Sequence, residues 1–125
     1  QVKGSKAYEP SKNEVRKFGE GSTGWFFLKK EIIHRSEADF FIFLVFVLTE
    51  DKKTGRRFIE PHLITIPTKK LKTLCKKYKK PHPNNYSFYF WVNPKTKKAF
   101  DWRDKQYNVS AYLDDKGFKL LQKGI

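Results

Sequence analysis

Residues 39–48 read DFFIFLVFVL, and no other stretch of the chain constrains the fold as strongly. From Phe40 to Leu48 nine consecutive residues are apolar, and all of them are Phe, Ile, Leu or Val. Both alternating faces of the segment are therefore bulky and water-avoiding. That pattern predicts a central strand covered on both sides, in place of a strand with one solvated face. The run is also roughly half the length of a membrane span, so it reads as core. With no secretory signal in view, a soluble, cytoplasmic protein is expected.

Moving downstream, residues 49–56 (TEDKKTGR) form a charged turn around Gly55, and residues 57–66 (RFIEPHLITI) read as a second strand joined to the first as a hairpin. Pro61 cannot donate to a ladder, which places that strand at an edge or a bulge. Residues 67–80 (PTKKLKTLCKKYKK) then predict a helix. Thr68 is its N-cap, Pro81 its stop signal, and Leu71, Leu74, Cys75 and Tyr78 form an i, i+3, i+4, i+7 stripe. Apart from Thr73, the remaining helix positions are lysine: Lys69, Lys70, Lys72, Lys76, Lys77, Lys79 and Lys80, with no acidic residue among them. Like charges at helical spacing repel by a few tenths of a kcal/mol each, so an uncompensated run of this kind implies an external anion.

Upstream, residues 6–24 are polar with one proline and three glycines, an irregular excursion with a short helix near Asn13–Phe18. Apolar character resumes at 25–28 (WFFL), and residues 29–39 (KKEIIHRSEAD) read as a polar connector. Residues 86–92 (YSFYFWV) and 97–103 (KKAFDWR) make a second hairpin around Asn93-Pro94-Lys95. A short helix starts near Asn108 or Ser110, and residues 118–122 (FKLLQ) supply a last apolar patch.

Composition agrees with these elements. At 125 residues the chain is one domain, residues 1–125, able to bury a core without disulfides. Aromatics make up 17% of it, with twelve Phe, so the core is built from rings on strands. The excess of 27 Lys plus Arg over 13 Asp plus Glu gives a net charge of +14, a field that draws polyanions, of which nucleic acid is the commonest in a cell. Cys75 is the sole cysteine and falls on the apolar stripe, where a buried structural thiol is expected. His34, His62 and His82 are widely spaced and match no zinc pattern, so each reads as an ordinary turn or strand histidine. Asp101, Asp104, Asp114 and Asp115 read as solvated or capping groups. The rings of 86–92 invite base stacking, although one face of that strand must be core.

The order of elements, from QVKGS (residues 1–5) through the 39–48 strand to the step Leu63-Ile64-Thr65-Ile66-Pro67-Thr68-Lys69-Lys70-Leu71, resembles the C-terminal half of the PD-(D/E)XK nuclease superfamily. It is most similar to the small prokaryotic endonuclease-like domains of restriction and repair type. In that family one strand carries (E/Q)-x-K, here Gln1-Val2-Lys3. The resemblance implies an α/β (α+β) fold, a mixed central sheet of about five strands with the basic helix packed on it. It also implies Gln1 as a metal ligand and Lys3 as the cation that positions water or steadies charge on phosphate. Gln1 offers a neutral carbonyl, a weak ligand for a hard cation. The family's essential Asp lies on a strand ahead of this motif, so the chain is expected to be an N-terminally truncated, catalytically incomplete form. The full-length protein would hydrolyse DNA with Mg²⁺ or Mn²⁺, and the chain alone would hold no metal. DNA is the expected partner ahead of RNA, with no membrane. A non-catalytic nucleic-acid binder, or a homodimer joined through an exposed strand edge, is the alternative.

Overall fold

Phenylalanines on alternate positions of the 39–48 segment fill the space between two sheets. The computed structural model of the protein describes residues 2–4, 21–76, 83–101 and 107–123. In chain order these form β1 (Val2–Gly4), β2 (Ser22–Lys29), α1 (Lys30–His34), β3 (Phe40–Glu50), β4 (Arg57–Pro67), α2 (Thr68–Cys75), β5 (Asn85–Asn93), β6 (Lys98–Asp101), β7 (Tyr107–Asn108), a 3₁₀ turn (Ser110–Tyr112) and α3 (Asp115–Lys123). One sheet has the order β1-β3-β4 and the other β2-β5-β6-β7. The class is mixed α+β, as expected, but the sheet of about five strands is corrected to two sheets of three and four strands. The reason is the pairing of β2. It runs antiparallel to β5 over its whole length, from Ser22 opposite Val92 to Lys29 opposite Asn85, and lies across β3.

β3 has β1 parallel on one side and β4 antiparallel on the other. Its inner row, Phe41, Phe43, Val45 and Val47, is buried, whereas Ile42, Leu44, Phe46 and Leu48 on the opposite face are half-buried. The strand is thus central but fully covered on one face only. Phe43 sits 5.0 Å from the Phe26 ring, 5.0 Å from Phe90 and 5.5 Å from Phe88, which joins β3 to β2 and β5. Tilted and edge-on pairs at this range add to the gain from burial alone. The sheets approach closely at Gly24, where a Cβ would lie 3.2 Å from Val45 Cγ2.

The hairpin expected between β3 and β4 forms, with Gly55 at φ +70 in its turn. Pro61 lies on β4, an outer strand. Two residues on, the Leu63 N–H points away from β3 toward Asp114 Oδ1, so the missing proton of Pro61 falls on the same non-ladder side. The second hairpin also forms, its turn held by Asn93 Oδ1, which accepts from Lys95 N–H at 3.0 Å.

Three local expectations are corrected. Ser22, Thr23 and Gly24 belong to β2 and not to an irregular stretch. Residues 30–34 of the connector form α1, because Ile33 is fully buried and the His34 ring meets the Tyr86 hydroxyl at 2.5 Å. Thr68 does not cap α2: Pro67 holds that position, and the Thr68 hydroxyl donates to the Ala38 carbonyl at 2.6 Å, fastening the helix to the loop before β3. The helix expected near Asn13–Phe18, together with Tyr78 and Pro81, lies outside the described residues. Among the described residues no helix is long and apolar enough to cross a membrane.

α3 crosses the outer face of the three-stranded sheet at Gly117, where a Cβ would run into the Tyr112 carbonyl and lie 2.8 Å from Thr65 Cβ. Glycine to alanine inside a helix normally stabilises by about 1 kcal/mol. Here Gly117→Ala is expected to lower the midpoint of urea unfolding, and a raised midpoint would show that α3 does not seat on Thr65.

Candidate nucleic-acid interface

The lysine-rich segment becomes amphipathic once folded. Leu71, Leu74 and Cys75 are buried on one side of α2, and Thr68 is buried at its start. Lys69, Lys70 and Lys76 are exposed, and Lys72 is half-buried. Lys77, Lys79 and Lys80 lie outside the described residues. The first turn carries no acidic residue and holds Lys69 and Lys70 instead. Cations there oppose the positive end of the helix macrodipole, each at a cost of about 0.3–1 kcal/mol where solvent-exposed. A helix shaped for stability alone would carry the opposite sign. Lys70 and Thr73 also wall a groove of about 240 Å³, with Tyr107, Asn108 and Tyr112 facing them.

Lys3 lies on β1, half-buried. It pairs with Phe43, which pairs with Ile64, and residues in register share a sheet face. Lys3 therefore stands on the core-facing side of the three-stranded sheet. α2 leaves β4 three residues beyond Ile64 at Pro67, which pairs with Phe40. The Lys3 level and the start of α2 are thus about 10 Å apart along the strands and about 10 Å apart across them, at one end of the sheet. Gln1 lies outside the described residues. Among the described residues no group of three or more His, Cys, Asp or Glu side chains could hold a metal ion. They do not provide the carboxylate set that Mg²⁺ or Mn²⁺ takes.

Cys75 is buried as expected. Burial first, then the nearby Asp101 charge, pushes its thiol up to about 12, which leaves it inert as a nucleophile. Asp101 itself is buried on β6, a correction to the solvated role expected of it. Asp104 and His82 lie outside the described residues.

A pairing with no local sequence signal joins His62 to Asp114. His62 Nδ1 lies 2.7 Å from Asp114 Oδ2, and Asp114 Oδ1 accepts the Leu63 N–H at 2.8 Å. His62 Nε2 faces Glu60 at 3.5 Å. The carboxylate–imidazole order is that of a general base, yet Nε2 is buried away from any substrate. The imidazole instead lies between two acids, which favour its protonated form, and Asp114 docks the segment before α3 against the outer edge of β4. Asp114 remains partly exposed and its carbonyl accepts the Phe118 N–H at the start of α3, but its carboxylate is committed to His62 and Leu63, a role the expected solvated or capping one did not include. The Asp114 bond is the main reason that His62 titrates above its ordinary 6.5; burial opposes it. Burial alone would push the Asp114 carboxyl up, but the bonds from His62 and Leu63 outweigh it and hold the group below its ordinary 3.8.

The rings of the second sheet divide between its faces. Tyr86, Phe88 and Phe90 enter the core, whereas Trp25 and Phe27 of β2 remain 45% and 51% exposed on the other side. Compared with known proteins, the chain matches no family model, no curated protein and no solved structure.

Stability from raising the His62 pKa is fully present below pH 6.5 and is lost as pH rises through the folded value. Stability from lowering the Asp114 pKa is present above 3.8 and is lost as pH falls through the folded value. Asp114→Asn keeps an acceptor for Leu63 and tolerates the left-handed backbone at φ 47, but removes the charge. Urea unfolding should show this variant less stable by on the order of 1 kcal/mol at about pH 5, with the gap closing toward alkaline pH. A gap that does not change with pH would contradict the charged pair.

Proposed function

We propose that this chain is a nucleic-acid-binding domain of PD-(D/E)XK type, which lays α2 along a phosphate backbone, and that the full-length protein hydrolyses DNA phosphodiesters. The observation that carries the reading is the solvent side of α2. It bears Lys69, Lys70, Lys72 and Lys76 with no acidic partner in the helix, two of them at the positive helix end. Such a face is stabilised when an external polyanion replaces its counterions, and phosphate contacts of this kind give affinity without sequence choice.

The endonuclease-like part of the reading draws support from the placement of Lys3. It lies on a strand parallel to the apolar strand, at the sheet end from which the lysine helix leaves. A cation there suits the negative charge that builds on a phosphate under attack. Mg²⁺ or Mn²⁺, with its carboxylate ligands, belongs in this reading to the full-length protein, and cleavage is expected of that form. In a restriction-endonuclease-like fold the three-stranded sheet would be the part carrying the motif strand.

The test is binding of a short DNA duplex followed by anisotropy over a range of salt. Affinity should fall steeply with salt. In the quadruple variant Lys69→Gln/Lys70→Gln/Lys72→Gln/Lys76→Gln the log–log slope should drop by about 0.9 for each phosphate left without its lysine. Glutamine has nearly the helix propensity of lysine and relieves repulsion, so the fold should persist. An unchanged slope in the folded variant would remove α2 from the interface.

A further inference from the structure

We infer that the outer face of the β2-β5-β6 sheet is a stacking surface for the unpaired bases of single-stranded nucleic acid. The register places Phe27, Trp25 and Tyr89 side by side on this face, with Phe27 opposite Ser87 and Trp25 opposite Tyr89. Trp25 and Tyr89 are stacked at 5.9 Å with planes 16° apart, and Phe27 lies 6.0 Å from Trp25. The Trp25 indole N–H donates to Ser87 Oγ at 2.9 Å, which fixes the ring plane. These rings are therefore preorganised, yet about half of the Trp25 and Phe27 surface meets water. An exposed aromatic row of this kind is costly to solubility and marks a binding surface.

The charge around the row selects the partner. Lys29 shares the face at one end, opposite Asn85, and Lys98 shares it at the other, opposite Asn93. Both lysines are exposed. Thr23, Trp91 and Asn93, which lie on this face between the rings and Lys98, are buried, so the open part of the row runs from Lys29 to Trp25 and Tyr89 with Lys29 as its flanking cation. The described residues on this face include no acid between those ends: β5 contributes Asn85, Ser87, Tyr89, Trp91 and Asn93, and β2 contributes Thr23, Trp25, Phe27 and Lys29. Aromatic faces beside a cation are the chemistry of single-strand binding, where every base offers a π face whatever the sequence. An apolar peptide or a second copy of this chain, itself at net charge +14, would gain nothing from the lysines. The surface is separate from α2 and does not rest on the reading of that helix.

The probes are oligothymidylate and oligouridylate of about ten nucleotides, a length within the range of one stacking site. Indole fluorescence of the whole chain should be quenched on binding. Trp25→Ala and Phe27→Ser should each weaken binding roughly tenfold, while Trp25→Phe should retain most affinity and lose most of the quench. The α2 quadruple variant should still show the quench, and Trp25→Ala should still bind duplex DNA, so the two surfaces fail or hold separately. Equal affinity of the wild type and both ring-removing variants, with circular dichroism showing them folded, would overturn the inference. So would a Trp25 signal that follows protein concentration and not oligonucleotide, because that assigns the face to self-association. Preference between the two probes tells DNA from RNA, and binding of either supports the inference.

Discussion

The contact of Phe43 with Phe26, Phe88 and Phe90 is the constraint from which the other features follow. A strand as apolar as β3 cannot sit in a single sheet with one side open to water, so a second sheet must cover it. β2 and β5 provide that cover, and Gly24 lets β2 pass close over Val45. Once the sheets are stacked, their ends and edges need closing. α1 and α2 insert Ile33, Leu71 and Leu74 into the shared core. Ser22 Oγ accepts the Leu48 N–H at 3.2 Å, beyond the point where β1 stops pairing with β3, and Asp114 takes the Leu63 N–H on β4. Each edge contact satisfies a backbone donor that the core would otherwise leave exposed.

The distribution of charge follows from the same packing. Because the apolar stripe of α2 faces inward, its lysines face outward together, and the helix direction puts Lys69 and Lys70 at its positive end. The parallel β1–β3 ladder brings Lys3 to the same end of the sheet. On the second sheet the inward Phe88 and Phe90 send Tyr89 outward beside Trp25, since successive strand residues alternate faces. Two surfaces result, a cationic one on α2 and an aromatic one on β2 and β5 flanked by Lys29.

What could be read from the sequence was local. The apolar run fixed β3, the charged segment with Gly55 fixed the hairpin to β4, and the stripe of Leu71, Leu74 and Cys75 fixed α2, because each signal lies within a dozen residues. The division into two sheets was not readable. It depends on β2 choosing β5, whose register partner for Trp25 is Tyr89, and on a close approach at a single glycine. The His62–Asp114 pair was hidden for the same reason, its members being 52 positions apart. Trp25 and Phe27 sit in a segment apolar on both faces, so sequence alternation could not tell the core row from the solvent row. Thr68 misled as a cap because Ala38, brought close by tertiary packing, competes for its hydroxyl.

Contact between the lysine face of α2 and phosphate can be followed by backbone amide NMR during titration with a short DNA duplex at low salt. The largest shift changes should fall at residues 68–76 and be reversed by added salt. Duplex binding that leaves those amides unmoved would contradict that contact.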